Sequence, residues 1–122
     1  MPRDTSGDDR DIALLFDMLT AARAVASFVA GRSFEDYSRD LLLRSAVERQ
    51  IEITGEAARG VSSEFKSAHP EIAWRAIMAQ RHRLAHEYGE INDELIWTVA
   101  TVHVPRLIEQ LNPLVPTEDE SA

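Results

Sequence analysis

Apolar residues recur at helical spacing through most of this chain. In residues 11–30 they follow an i, i+3/i+4, i+7 pattern, at Ile12, Leu15, Leu19, Ala22, Val25 and Val29. Similar stripes run through residues 33–59, 70–88 and 92–111, and no segment alternates apolar and polar residues as a strand would. The pattern therefore predicts an all-α protein, an up-and-down four-helix bundle with short connections.

Start and stop signals separate the four predicted helices. Gly31 and Gly60 follow the first and the second helix, where glycine commonly ends a helix. Ser33 opens a capping box before the second helix, which is expected to run as one rod of about 40 Å at the rise of an α-helix. Pro70 suits the first turn of the third helix, and Asn92 is a suitable N-cap for the fourth.

The last predicted helix contains Pro105, which should kink or divide it because proline lacks a backbone N–H. We expect one helical domain over residues 11–112. Residues 1–10 are predicted to be a flexible acidic N-terminus, and residues 113–122 a disordered acidic tail.

Composition limits the possible functions. A net charge of −8 over 122 residues argues against a general nucleic-acid binder, which would normally be basic. The chain has no cysteine, which excludes disulfides and thiolate metal sites and fits a reducing compartment. The uninterrupted apolar runs are short and the first residues are polar and acidic, so neither a membrane span nor a signal peptide is expected. The sequence predicts a soluble, cytoplasmic protein.

One short segment departs from this acidic background. It contains Arg81, His82, Arg83, His86 and Tyr88, and no acidic residue lies between Arg75 and His86. An arginine stays protonated, whereas an imidazole exchanges protons near neutral pH, so together they suit a site that binds or cleaves a phosphodiester.

Helical geometry does not bring the two key side chains together by itself. Arg81 and His86 are five residues apart and would point about 140° away from each other on a straight helix. Either the helix loosens before Gly89, or the site is completed across a dimer interface.

Two other interpretations of the segment stay open. His82 and His86 share a helical face beside Glu87 and could clamp zinc, although the flanking arginines would repel a cation and the order differs from H-E-x-x-H. Each residue could also be structural, because a histidine near a helix C-terminus interacts favourably with the helix dipole. His69 and His103 are interpreted as structural or surface residues, and Trp74 and Trp97 as core residues; no cofactor is predicted.

The second predicted helix is apolar around more than one face. Leu41, Leu42 and Leu43 are consecutive, and Ile51 and Ile53 also point in different directions. We expect part of this surface to be buried in a homodimer, with a monomer that has a broad core stripe as the alternative.

Three blocks of sequence resemble one known family. Arg81-x4-His86-x-Tyr88 is similar to the R-x4-H-x-Y signature of HepT-like proteins of the HEPN superfamily, the toxins of HepT/MntA toxin–antitoxin pairs. Residues 46–57, which include I-T-G-E-A, resemble the helix that carries the family's "IGEA"-like stretch. Residues 70–77 resemble its P-x-I-x-W-x-x-I block.

The resemblance implies a small helical homodimer with metal-independent endoribonuclease activity. Arg81 would contact the scissile phosphate and His86 would act in acid–base catalysis. The RNA 2′-OH would attack the adjacent phosphate and leave a cyclic phosphate end. His82 stands where the family commonly has Asn, which leaves three roles open for it: binding, catalysis or positioning. His82 and Arg83 are assigned a supporting or phosphate-binding role.

Tyr88 matches the family tyrosine that a minimal nucleotidyltransferase antitoxin of the MntA type modifies with AMP. The resemblance thus implies an off-switch in which the adenylate occupies the phosphate site and neutralises Arg81. Two alternatives remain at this point: a non-catalytic helical dimer that binds a nucleotidyltransferase or a nucleotide, and a purely structural dimer.

Overall fold

The computed structural model describes residues 5–79 and 92–116, and of residues 5–8 only the backbone. These residues form helices and turns without a strand, which confirms the predicted all-α class. The helices are α1 (Thr5–Val29), α2 (Phe34–Arg39), α3 (Leu41–Gly60), α4 (Ser63–Ala68), α5 (residues 74–79), α6 (Asp93–Thr98) and α7 (Val104–Leu111). A π-helical segment, Val99–His103, joins α6 to α7, and a 3₁₀ turn, Asn112–Leu114, follows α7.

The core lies where α1 packs along α3 and α7. Four of the six residues predicted for the stripe of α1, Leu15, Leu19, Ala22 and Val25, are at most 4% exposed. Val29 is also buried, whereas Ile12 is exposed. Burying one such aliphatic side chain contributes about 1.5–3 kcal/mol, so this stripe fixes α1 in the bundle.

α1 begins at Thr5 rather than at Asp11, the predicted start. Asp11 lies inside the helix, where it is buried and links α1 to the end of α3. Its carboxylate accepts hydrogen bonds from the backbone N–H of Ser62 at 2.9 Å and from the Ser62 hydroxyl at 2.6 Å. At the other end the helix stops as predicted, because Gly31 adopts a φ of 73° that favours glycine.

The single long second helix was a wrong prediction, because Asp40 divides it into α2 and α3. Asp40 has φ −112° and ψ 99°, and its carboxylate accepts a hydrogen bond from Leu43 N at 3.1 Å as the N-cap of α3. The predicted capping box at the start of α2 is confirmed. Asp36 N donates to Ser33 Oγ at 3.1 Å, and Ser33 N donates to the Asp36 carboxylate at 2.9 Å.

The segment between α3 and α5 contains a short helix, α4, that the four predicted helices did not include. Ser62 caps α4 by accepting a hydrogen bond from Phe65 N. The third helix does not begin at Pro70. Residues 70–72 form a turn, and helical structure starts at Trp74, whose backbone N–H bonds to Ile72 O at 2.9 Å.

The last helix begins as predicted, with Asn92 accepting a hydrogen bond from Leu95 N at 3.1 Å. Its predicted interruption takes the form of the π-helical segment, where Val104 N bonds to Val99 O. Pro105 accounts for this widening, because it offers no N–H to the preceding turn.

One segment of α1 is long and apolar enough to cross a membrane by length and composition. It is Asp9–Val29, 21 residues with a mean hydropathy of 1.7 over its most apolar window. The uninterrupted apolar runs in it are short, which is why the sequence predicted no membrane span. Core helices of soluble proteins meet the same test, and the side chains of Leu15, Met18 and Val25 are fully buried in the bundle.

Candidate functional site

The five residues predicted for the site lie outside the described residues. Arg81, His82, Arg83, His86 and Tyr88 all fall in residues 80–91. Their proximity and their roles therefore remain predictions, as does the alternative zinc clamp. The structure does describe the two elements that lead into and out of this segment.

Trp74 fixes the position of α5, the helix that leads into residues 80–91. Its side chain is 7% exposed, and its indole N–H donates to His69 O at 2.9 Å. The ring of Phe65 meets it edge-on at 6.1 Å, and Lys66 Nζ lies 5.9 Å from the indole centroid. With Ile72 also buried, the start of α5 has a fixed position and direction. The predicted core role of Trp74 is thus confirmed.

A polar cluster of Arg44, Glu48 and Asp93 lies beside α6, the helix that follows residues 80–91. Asp93, in the first turn of α6, lies 3.9 Å from the Arg44 guanidinium of α3. Arg44 also donates to the carbonyl oxygen of Ser38, so it joins α2, α3 and α6. Glu48, one turn beyond Arg44 on α3, is partly buried in the same region.

The pKa values of two groups in this region, Glu48 and Tyr37, are raised above their ordinary values. Burial, together with the negative charge of Asp93, raises the pKa of Glu48, and Arg44 partly opposes the shift. Burial also raises the pKa of the Tyr37 phenol well above its usual range, and the carboxylates of Glu48 and Asp93 add to the effect. Tyr37 therefore stays a neutral phenol. Its hydroxyl is fully buried without a hydrogen-bond partner among the described residues.

Trp97 packs against the Tyr37 side of this cluster. The two rings are 5.4 Å apart between centroids and tilted by 44°, and Phe34 meets Trp97 at 6.3 Å. Trp97 is partly buried against the core, which agrees with its predicted structural role. The aromatic packing therefore fixes α6 against α2 just after the undescribed segment.

A pocket of about 450 Å³ lies between α3, α5, the π-helical segment and α7. Its walls are mainly apolar and include Ile51, Ala76, Ile77, Leu95, Val99 and Leu107. Because α5 precedes residues 80–91 and Leu95 lies on α6 just after them, the pocket borders both flanks of the predicted site.

Polar side chains line the same pocket. They are Thr54, Glu71, His103, Arg106 and Gln110. Gln110 is fixed by a 2.8 Å hydrogen bond from its amide nitrogen to Glu71 O, and the Thr54 hydroxyl donates to Gln50 O at 2.8 Å. A small molecule or a nucleotide could bind here through apolar contact and a few polar groups.

Sequence reasoning missed most of these residues. It interpreted His103 as a structural or surface residue, and His103 is indeed exposed. It did not use the fact that His103, Arg106 and Gln110 are spaced by three and four residues on one helical stretch. That spacing was a usable signal. Arg44 and Glu48 are four apart on α3, but nothing in the sequence indicates that Asp93 joins them.

Within residues 5–79 and 92–116, no group of three or more His, Cys, Asp or Glu side chains is arranged to hold a metal ion. His69, interpreted as structural, lies with its Nδ1 3.3 Å from a Glu71 carboxylate oxygen and stacks on Phe65 at 4.3 Å. This local packing supports the structural interpretation of His69.

Comparison with known proteins gives a family and several relatives. The sequence model of the family described as "Ribonuclease HepT-like" matches residues 18–114. "Putative RNase TTE0752" of Caldanaerobacter subterraneus is 36% identical over 90 residues, 74% of this chain and 80% of the relative. "Probable ribonuclease HepT" of Thermococcus cleftensis is 33% identical over 93 residues, 76% of this chain and 84% of the relative.

A third relative matches nearly end to end. "Putative RNase MJ0127" of Methanocaldococcus jannaschii is 28% identical over 113 residues, 90% of this chain and 93% of the relative. No solved structure matches the chain significantly. The family match covers the elements on both sides of residues 80–91, including Trp74 and the Arg44–Asp93 pair.

Proposed function

We propose that this chain, which belongs to the Ribonuclease HepT-like family, is an endoribonuclease that cleaves RNA without a metal ion. The observation that carries the proposal is the family match over residues 18–114, together with relatives that are named as ribonucleases. The matched range spans residues 81–88, on which the R-x4-H-x-Y resemblance falls.

In the proposed reaction the RNA attacks itself. A base, for which His86 is the candidate, takes the proton of the 2′-OH, and the 2′-oxygen bonds to the adjacent phosphorus. The bond to the 5′-oxygen breaks and that oxygen takes up a proton, so the products are a 2′,3′-cyclic phosphate and a 5′-hydroxyl. Arg81 stabilises the negative charge that builds on the phosphoryl oxygens. His82 and Arg83 support the binding of phosphate.

We propose that the working form is a homodimer, since Arg81 and His86 would diverge by about 140° on one straight helix. Exposed apolar side chains support a subunit interface. Leu41 is 68% exposed and Leu42 is 79% exposed, at the start of α3. Leu43 and Ile51, which the sequence offered for the same interface, are instead in the core of the subunit.

We further propose that the protein is the toxin of a cytoplasmic toxin–antitoxin pair. Its partner would be a minimal nucleotidyltransferase that transfers AMP from ATP to the Tyr88 hydroxyl and releases pyrophosphate. The added phosphodiester would carry negative charge into the phosphate site and neutralise Arg81. The motif resemblance supports this switch.

The activity is tested with a labelled RNA in EDTA. We expect the wild type to cleave it and Arg81→Ala and His86→Ala to lose at least about a hundredfold in rate, the usual contribution of a positioned acid or base. Arg59→Gln, which removes an exposed charge from the last turn of α3, is the control. Cleavage that survives in both alanine variants would remove these residues from the mechanism.

The switch is tested by intact mass after incubation with the nucleotidyltransferase encoded beside the gene and ATP. We expect one or more added AMP units in the wild type and none in Tyr88→Phe. AMP addition to Tyr88→Phe, or none to the folded wild type, would contradict the proposal. Tight partner binding without any RNA cleavage would favour the non-catalytic binding module instead.

A further inference from the structure

We infer that the pocket between α3, α5 and α7 binds one nucleobase of the RNA, beside the phosphodiester that the motif cleaves. This inference rests on the proposed ribonuclease function and adds a substrate-binding subsite to it. The first support is size and surface. A volume of about 450 Å³ falls within the range of small-ligand sites, and its walls present apolar groups to a flat ring. Ile77 and Leu95 face the pocket from two sides.

The second support is the polar edge of the pocket. The Gln110 carboxamide is anchored through one N–H to Glu71 O at 2.8 Å, which leaves its carbonyl oxygen and its other N–H to contact a ligand. A carboxamide offers a donor and an acceptor side by side, and this pair matches the hydrogen-bonding edge of a base. Thr54, whose hydroxyl hydrogen is used by Gln50 O, adds an acceptor.

The third support is charge. His103 and Arg106 line the pocket, are both exposed, and are three residues apart on the helical run, so their side chains lie on one face. A nucleotide held by its base in the pocket would bring its phosphate to these groups. Glu71 also lines the pocket, but its carboxylate lies 3.3 Å from His69 Nδ1.

The charged residues that line this pocket differ from those that line a second groove of the protein. The groove between α1 and α3 has a similar volume of about 440 Å³, but its charged residues are Asp17 and Glu56. These carboxylates would repel a phosphate. Of these two, the pocket with Arg106 is the one that offers a phosphate a permanent positive charge.

The fourth support is position. Ala76 and Ile77 of α5 form one wall, and Arg81 follows Ile77 by four residues in the chain. Four residues of chain span at most about 14 Å, whatever their conformation. The base in the pocket would thus belong to a nucleotide close to the scissile phosphate.

The test uses a 2′-O-methyl RNA oligonucleotide, which cannot undergo 2′-OH attack, and its affinity for the full-length protein measured by fluorescence anisotropy. A series of oligonucleotides carries one abasic nucleotide at each position in turn. We expect one abasic position to weaken wild-type binding about tenfold, within the range of base stacking. Ala76→Leu, which narrows the pocket, should bind the intact oligonucleotide about tenfold more weakly and lose this sensitivity to the abasic position.

Two matched variants control the experiment. Ala79→Leu makes the same substitution on α5 at an exposed residue that does not line the pocket, and Arg59→Gln controls for the loss of charge in Arg106→Gln. Both controls should bind like the wild type, whereas Arg106→Gln should bind more weakly and with a smaller salt dependence. Equal abasic sensitivity in the wild type and Ala76→Leu would overturn the inference.

Two further outcomes separate the inference from its premise. If the wild type cleaves RNA and Ala76→Leu has an unchanged KM and kcat, the subsite is wrong while the ribonuclease function stands. If the wild type binds the oligonucleotide through the pocket but cleaves no RNA, the ribonuclease proposal fails and the pocket remains a nucleobase site.

A change of oligomeric state in Ala76→Leu, seen by light scattering, would mean that a second subunit fills the pocket and would also overturn the inference.

Discussion

Arg44 and Asp93 connect α3 to the first turn of α6 across 3.9 Å, at the point where the chain leaves the motif segment. Both side chains are partly shielded from water, at 23% and 35% exposure. Arg44 also donates to Ser38 O of α2. One side chain thus fixes three helices relative to one another on the C-terminal side of the predicted catalytic residues.

We expect Arg44→Ala to destabilise the fold by about 1–3 kcal/mol, because it leaves Asp93 without this cation and Ser38 O without this donor. Urea unfolding followed by circular dichroism measures the change. The matched control is Arg49→Ala on the same helix, because the Arg49 side chain is 61% exposed in its 3.4 Å pair with Glu52. That change should cost under about 0.5 kcal/mol. Equal losses in the two variants would contradict a special role for Arg44.

Tyr37→Phe should leave stability unchanged or raise it by up to about 1 kcal/mol. The hydroxyl is buried without a partner among the described residues, so its removal relieves a desolvation cost while the ring still packs on Trp97. Tyr37→Ala, in contrast, should cost about 3–5 kcal/mol through the cavity it creates. A loss above about 1 kcal/mol in Tyr37→Phe would show that the hydroxyl has a partner.

Glu48 should make the fold less stable as the pH rises. Its pKa in the folded protein is raised above the ordinary value of 4.5, so the folded state holds this proton more tightly than the unfolded chain. Its contribution to stability is present below about pH 4.5 and is lost as the pH rises through the raised pKa.

Glu48→Gln keeps the shape of the side chain and removes the titration. Its unfolding free energy relative to wild type should therefore increase from about pH 4 to about pH 7. Glu56→Gln, an exposed residue of the same helix, controls for the change in net charge. A difference between Glu48→Gln and wild type that stays constant with pH would refute the raised pKa.

Trp74→Phe should cost about 1 kcal/mol through loss of the indole hydrogen bond to His69 O, and Trp74→Ala about 3–5 kcal/mol. Because Trp74 fixes the start of α5, we also expect Trp74→Phe to slow RNA cleavage while the protein stays folded. Thermal unfolding and cleavage are measured on the same preparation. Unchanged stability and cleavage would show that the indole N–H does not position α5.

Local signals predicted the fold class and several helix ends. Ser33, Gly31 and Asn92 act through hydrogen bonds or a φ angle within a few residues, so the sequence identifies them directly. Asp40 could not be placed in the same way. An aspartate inside an apolar stripe can remain helical or act as an N-cap. Here Asp40 is the N-cap of α3, and α2 packs against α6.

The site was predictable only in part, for a related reason. The R-x4-H-x-Y motif is contiguous, so the sequence alone suffices to propose its residues, and their roles stay predictions. The contact of Arg44 with Asp93, and the grouping of Thr54 with His103 around one pocket, join residues that are distant in the chain. Helical periodicity assigns such residues to a face but does not indicate which faces meet.

The most direct test of the proposed activity is cleavage, in EDTA, of an RNA and of the same RNA with a single 2′-O-methyl group at its main cleavage position. We predict that the wild type cuts the unmodified RNA there, leaving a 2′,3′-cyclic phosphate and a 5′-hydroxyl. It should not cut at the methylated position. Equal cleavage of the two substrates, or no cleavage of either by folded wild-type protein, would contradict the account.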